Sequence, residues 1–264
     1  MNELILLKLG GSVITHKDNT PPKVNEEAIY RIADELKDTS KNLLIVLGGG
    51  AHGHQAAQEF GYSNHNTPVS TLLSGIPKIR HNMSELSLEI ETILESRGIP
   101  AVVISPFSIA LLNDGRIDSF SLNTIIQSIN AGLTVITHGD VCYDTKRGAS
   151  ILSGDTILSY LAKQLNAKSV LVGTNVDGVL NDNPNVNPDA AIIPIINESN
   201  KAEVLRIAGP SKSTDVTGGM GRKILDLLEI SSLGIDVTIF NLTSPGRLKS
   251  LLNDEPVLCT QIIA

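Results

Sequence analysis

Two short apolar runs, ELILLKL (residues 3–9) and LLIVL (43–47), each pass straight into glycine, with Gly10, Gly11 and Ser12 after the first and Gly48, Gly49 and Gly50 after the second. Runs this short, without polar alternation, suit strands covered on both faces. The segments between them carry helical periodicity instead. NEEAIYRIADEL places Ala28, Ile29, Ile32, Ala33 and Leu36 on one face, offers Asn25 as a cap and sets Glu26 and Glu27 against the positive end of the helix dipole. SELSLEIETILESRG (84–98) closes on Gly98, where a left-handed residue ends a helix. AVVIS, SLNTIIQSINAG and LTVIT repeat the alternation between 101 and 137. Strand alternating with helix predicts an α/β protein with a mainly parallel sheet covered on both faces.

VCYDTKRGASILS (141–153) breaks the rhythm and reads as a β-hairpin turning at residues 144–148. Beyond it the pattern predicts a helix over 155–165, a strand SVLVG, a Pro- and Asn-rich loop at 181–188, a helix over 219–233, a strand DVTIF, a short helix and a last strand VLCTQII. No repeat or flexible linker divides the chain. We read one domain of 264 residues, with an N-terminal lobe to about residue 165 and a C-terminal lobe after it.

Composition excludes several classes of function. A hydrophobic content of 41% is enough for a proper core, and a net charge of -7 argues against a nucleic-acid or anionic-membrane surface. Any phosphate ligand must then meet a few local cations. Cys142 and Cys259 form no CxxC pair, so they read as buried thiols rather than as zinc ligands or a disulfide framework. No basic segment followed by an apolar core opens the chain, and no apolar run reaches the ~20 residues of a membrane span, so the expectation is a cytoplasmic protein.

GGGAHG at 48–53 fits the GxGxxG spacing of a dinucleotide site, but that fingerprint closes the first strand and has an acid ~20 residues on, whereas TPVSTLLSG (67–75) contains none. No GxxxxGK[ST] phosphate loop occurs either. In a parallel sheet, ligands sit at the carboxyl ends of the strands, where bare backbone N–H groups receive anions. Two glycine-bearing ends in successive strands therefore make neighbouring anion cradles, the arrangement that a phosphoryl donor and a phosphoryl acceptor require. Each run alone is equally explained by a tight turn or close packing. A third run, TDVTGGMGRKI (214–224), sets Gly218 and Gly219 before a helix with Lys223 on its first turn. Lys8 interrupts a buried apolar strand, where an ammonium group is costly without an anion.

In this order KLGGSVIT, GGG, GD, SGD, TNVDGVLNDNPNVNPDA and DVTGGMGRK resemble the amino-acid kinase superfamily over nearly the whole chain. Within it SVITHKD, GGGAHGH and TDVTGGM look most like the isopentenyl phosphate kinases. The resemblance implies a three-layer α/β/α sandwich, usually a homodimer, with ATP over the C-terminal lobe and the acceptor over the N-terminal one. It implies direct transfer of the γ-phosphoryl group of ATP, taken with Mg²⁺, to isopentenyl phosphate. Lys8 would lie between the donor and acceptor phosphates, Lys17 would hold the γ-phosphate and Lys223 would approach from the opposite lobe, while Asp155 holds the lysines in place. Asp155 alone reads as a helix N-cap.

On the same resemblance Gly10, Gly11, Ser12, Gly50, Thr174, Asp177, Gly178, Gly218 and Gly219 surround the nucleotide. Gly48, Gly49, Gly139 and Gly154 surround the acceptor with His54, which reads as a donor to a phosphate that is already largely dianionic. No protein residue is assigned to a metal. Departures stand at Leu47, His52 and Asn175, where relatives commonly carry His, Phe and Asp; His52 is expected to narrow or polarise the acceptor pocket. Val69, Leu72, Leu73, Ile76, Ile79, Met83 and Leu86 are available either to line a pocket for an apolar tail or to build a core helix. The rival readings are a related kinase of another phosphate or phosphonate, such as a fosfomycin kinase-like enzyme, and a non-catalytic nucleotide-binding regulator on the same fold.

Overall fold

The computed structural model describes residues 3–16, 19–64, 66–182, 187, 189–208 and 219–264. Strand β1 (Leu4–Leu9) is followed by a single turn α1 (Gly11–Ile14), a ribbon of β2 (Thr15–His16) and β3 (Lys23–Val24), α2 (Glu26–Leu36), β4 (Asn42–Leu47), α3 (Gly50–Glu59), α4 (Val69–Ser96) and β5 (Ala101–Val103). Next come β6 (Ala110–Asn113), β7 (Arg116–Phe120), α5 (Asn123–Asn130), β8 (Thr134–His138), β9 (Asp140–Asp144), β10 (Gly148–Leu152), α6 (Gly154–Gln164) and β11 (Ser169–Thr174). The chain ends with β12 (Ile195–Ile196), α7 (Lys201–Ala208), α8 (Gly219–Ser231), β13 (Asp236–Asn241), α9 (Arg247–Leu252) and β14 (Cys259–Ile262).

Eight strands form the main sheet in the order β12-β14-β13-β11-β1-β4-β8-β5. All its pairings are parallel except that of β13 with β14. Because side chains alternate across a strand, Ile5, Leu7 and Leu9 of β1 join the core beneath α2, α4 and α9, while Leu6 joins the core beneath α5, α6, α7 and α8. The expected three layers are present. Lys8, in register with Val46 on one side and Val172 on the other, shares the face of Leu6 and so rises toward α6.

Asn25 caps α2 by accepting from the backbone N–H of Ala28, and Gly98 takes the left-handed φ of 78° that ends α4. Helix α4 begins well before the expected Ser84, and Pro77 lies inside it. The missing N–H there costs about 3 kcal/mol. Leu72, Ile76, Ile79, Met83, Leu86 and Ile90 are buried along one stripe, each contributing about 1.5–3 kcal/mol, so the packed face outweighs the proline. The hairpin of β6 and β7, β12 and α7 were not anticipated. For the hairpin a signal was present, since Asp114 and Gly115 take φ values of 52° and 76° as an Asp-Gly turn between two strands does.

A second sheet is ordered β10-β9-β6-β7. Asp144 ties its two hairpins together. One carboxylate oxygen accepts from the backbone N–H groups of Asp114, Lys146 and Arg147 at 3.1, 2.9 and 2.9 Å, and the other from Gly115 N–H and the Ser150 hydroxyl at 2.7 Å each. Burial works to raise this carboxyl, but the five donors hold it down at about 2. Because its pKa is lowered on folding, the stabilisation is fully present above the unfolded value of about 3.9 and is lost as the pH falls toward 2. Asp144→Asn is expected to lose about 2 kcal/mol at pH 7 and to flatten the acid limb of stability between pH ~4 and ~2. Urea denaturation followed across that range checks both; an unchanged acid limb would refute the assignment.

Candidate active site

The C-terminal ends of β1 and β4 are neighbours, and the glycine turns that follow them touch. A β-carbon on Gly11 would lie 2.4 Å from the backbone nitrogen of Gly50, so no side chain fits there. Gly50 itself has a φ of +49°, and a β-carbon on it would lie 2.3 Å from the hydroxyl of Thr15. That hydroxyl donates to the carbonyl of Gly11 at 2.8 Å and accepts from Ala51 N–H at 3.1 Å, locking the two turns together. Close packing therefore requires glycine at both turns.

Around these turns lies a cleft of about 890 Å³. Its lining includes Lys8, Gly10, Gly11 and Ser12 from the first turn, and Gly48, Gly49, Gly50 and His54 from the second. Gly139, Gly154 and Asp155 border it from β8 to α6, and Thr174 and Lys223 from the far side. Residues far apart in sequence thus meet in one hollow. Lys17 and Gly218 lie outside the described residues; Gly219 opens α8.

Lys8 is 6% exposed and donates to Asp155. The other oxygen of that carboxylate lies 3.9 Å from the ammonium group of Lys223. Burial works to raise Asp155, and the two cations outweigh it, holding the carboxyl below the usual range. Asp155 is not the helix cap. Ser153 takes that place, its hydroxyl accepting from Thr156 N–H at 3.1 Å, which leaves Asp155 in the first turn free to face the lysines. Of the other cations that line the cleft, Arg222 is paired with Asp226 at 3.0 Å and Lys163 with Glu229 at 2.6 Å, while Arg116 is in no ion pair among the described residues. Two ammonium groups sharing one carboxylate leave the centre of the cleft positive.

Other expected residues turn elsewhere. Asp177 does not border the cleft: it lies 2.5 Å from the guanidinium of Arg247 and accepts from the Asn241 side chain at 3.1 Å, and these bonds lower its pKa. Gly178 packs against β14, where a β-carbon would lie 2.4 Å from the hydroxyl of Thr260. Asn175 and Val176 line the cleft instead.

His52 also departs from expectation. It is 4% exposed, its backbone carbonyl accepts from Asn82 of α4 at 3.0 Å, and it borders a separate hollow beside Glu85 and Glu89. Burial lowers its pKa, so the imidazole is neutral. Two residues along a helix rotate by about 200°, which sends His54 into the cleft and His52 away from it.

Of the candidate tail-binding residues, Ile79 and Met83 line the cleft, and Ile151 of β10 joins them. Ile79 and Met83 are buried in the same core as Leu72, Ile76 and Leu86, which do not border the cleft, and Val69 and Leu73 are exposed. Asp140, which also borders the cleft beside Gly139, is paired with Arg80 of α4. Burial pushes the Asp140 carboxyl up to about 7 against the pull of that guanidinium, and takes neighbouring His138 down to about 4. His138 Nδ1 is 3.1 Å from the carbonyl of Gly139, to which it donates. Sequence reasoning missed Arg80 and Ile151, because an arginine in a long helix and an isoleucine in a hairpin carry no local signal, and it gave Asp140 of the GD pair no role.

The residue pattern over 3–241 matches the amino acid kinase family. The chain is 33% identical to the isopentenyl phosphate kinase of Methanothermobacter thermautotrophicus, over 98% of each protein, and 36% identical to that of Methanocaldococcus jannaschii over 84% of this chain and 85% of the relative. Among solved structures, one of an isopentenyl phosphate kinase superposes with a TM-score of 0.85 at 31% identity, covering 98% of this chain and 99% of the other.

The ion pair at the centre makes its own prediction. Asp155→Ala removes the carboxylate that compensates Lys8 and is expected to cost about 2 kcal/mol or more, whereas Lys8→Met combined with Asp155→Ala is expected to recover most of that loss. Denaturation of the two single variants and the double variant tests it, and strictly additive losses would show that the pair is uncoupled.

Proposed function

Because the chain belongs to the amino acid kinase family and, within it, to the isopentenyl phosphate kinases, we propose that it transfers the γ-phosphoryl group of ATP to isopentenyl phosphate, giving isopentenyl diphosphate and ADP. The observation that carries this reading beyond likeness is the meeting of Lys8, Lys223 and Asp155 with two glycine turns in one cleft. Phosphoryl transfer needs little covalent help from a protein; it needs two anions held in line and charge stabilised as it moves between them.

On this reading the nucleotide lies over the C-terminal lobe, residues from about 166 onward, at Thr174, Asn175 and Val176, with its phosphates on the turn at Gly10, Gly11 and Ser12. The acceptor lies over the N-terminal lobe. Its phosphate meets the backbone at Gly48, Gly49, Gly139 and Gly154 and the imidazole of His54, and its apolar tail runs between Ile79, Met83 and Ile151. Lys8 sits between the two, and Asp155 holds it there. A phosphate monoester has a second pKa near ~6, so it attacks as a dianion without a strong base, and His54 serves as a donor.

Among the described residues no group of three or more His, Cys, Asp or Glu is placed to hold a metal, and Asp155 is engaged by the lysines. Mg²⁺ enters the proposal as the companion of ATP. The same reading extends to a homodimer in the cytoplasm; among the described residues no helix is long and apolar enough to cross a membrane.

An ADP-release assay with isopentenyl phosphate, dimethylallyl phosphate, fosfomycin, acetylglutamate and aspartate tests the acceptor. The highest kcat/KM is expected with isopentenyl phosphate, and a preference for fosfomycin, or no turnover with any acceptor, overturns the proposal. Lys8→Ala is expected to lower kcat by about 10³-fold or more while ATP still binds by calorimetry. His54→Ala is expected to raise the KM of the acceptor by about tenfold and to leave that of ATP unchanged, and the reverse pattern would move His54 to the nucleotide side.

A further inference from the structure

The apolar stretch of the cleft has two walls carried by different parts of the fold. Ile79 and Met83 project from α4, and Ile151 from β10. In register, Ile151 pairs with Val141, the residue after Asp140 on β9. Arg80 follows Ile79 directly on α4 and reaches across to the Asp140 carboxylate. The link between the walls is therefore a side-chain pair placed immediately behind them.

That pair is held from several directions. The Asp140 side chain is 0% exposed, accepts from the Ser105 hydroxyl at 3.3 Å and from Val141 N–H at 2.9 Å, and has His138 Nδ1 3.5 Å away. The Arg80 guanidinium lies 5.3 Å from the centroid of the Phe107 ring, whose other neighbour is Tyr143 at 5.2 Å. Asp140 borders the cleft beside Gly139, but its carboxylate is turned to Arg80 with no exposed surface, and Arg80 is not among the residues that line the cleft. The pair therefore acts on the position of the walls.

We propose that the Arg80–Asp140 pair is a clamp that fixes the spacing of α4 from the β9–β10 hairpin, so that Arg80 and Asp140 are positioning residues that set which tail lengths the acceptor compartment takes. The inference rests on the reading of this compartment as the acceptor site. Its physical basis is directional. Apolar contacts between α4 and the hairpin hold the walls together but fix no separation, because they are not directional. A guanidinium bonded to a buried carboxylate fixes both distance and angle. The pair also orients the backbone at the acceptor phosphate, since Gly139 lies between Asp140 and His138 and its carbonyl is gripped by His138.

The test is the variant Arg80→Met, which keeps the packed stem and loses the fork, beside Arg80→Lys, which keeps the charge. Steady-state kinetics are measured with isopentenyl phosphate and with a ten-carbon prenyl phosphate, each at saturating ATP, together with the KM of ATP. Arg80→Met is expected to raise the KM of isopentenyl phosphate about tenfold and to raise the ten-carbon to five-carbon ratio of kcat/KM by about tenfold or more, with the KM of ATP within about twofold. Arg80→Lys is expected to recover at least half of the discrimination on a logarithmic scale. An unchanged KM and ratio in a folded variant overturns the clamp. If Arg80→Met does not fold, the double variant Arg80→Met, Asp140→Asn leaves no buried unpaired carboxylate and is judged by the same numbers. Wild-type protein that turns over no prenyl phosphate would instead overturn the acceptor reading, and a change confined to the KM of ATP would place the compartment on the nucleotide side.

Discussion

The ammonium group of Lys8 sits in a central strand of the sheet, and the architecture of the cleft follows from how that charge is accommodated. Neighbouring strands crowd it on both sides, leaving it only the direction of its own side chain, along the face beneath α6. An isolated ammonium there would cost several kcal/mol. Asp155 in the first turn of α6 compensates it, and that turn is where a helix best tolerates a carboxylate. Ser153 matters for this reason: by supplying the cap it releases the acid from its usual work. Lys223 then joins the same carboxylate from α8, which ties the two halves of the cleft through one oxygen pair.

The glycine turns impose a second constraint, independent of charge. Main chain approaches main chain so closely between Gly11 and Gly50 that any β-carbon would collide, and both turns border the cleft. A choice between packing and ligand binding is therefore false for these residues. The turn that best packs two adjacent strand ends is also the turn that offers both of them to anions, which is why the two cradles lie side by side rather than at opposite edges of the sheet.

Much of this was legible in the sequence because it is local. Apolar runs ending in glycine announce their own strands and turns, and a lysine inside such a run announces a partner even though the partner lies 147 residues away. What was not legible depends on long-range packing. The first half of α4 was hidden by Pro77, whose local penalty is overruled only by a face that the fold buries. Asp177 and Gly178 sit in an ordinary turn sequence, and only Arg247 and Thr260, brought in from the end of the chain, show that they brace the loop while Asn175 and Val176 meet the cleft. His52 was misplaced for a simpler reason: two histidines adjacent in the eye are on opposite sides of a helix. Arg80 carries no sequence signal, and Asp140 shows only as the second residue of the GD pair, which gives it no role.

The charge pattern is consistent with a site that moves an anion rather than storing one. The chain as a whole carries -7, so a cleft lined by strong unpaired cations would attract any anion and release none quickly. Instead Arg222 and Lys163 are each neutralised by an acid, and at the centre Lys8 and Lys223 share Asp155. During transfer the negative charge leaves one phosphate and arrives at another without changing in total. A cation fixed between the two positions lies nearest the charge while it is in transit, so it stabilises the transition state more than either end state and does not have to move. The shared carboxylate provides that immobility. A lysine free to follow either phosphate would stabilise the ground states as well as the transition state and would accelerate nothing.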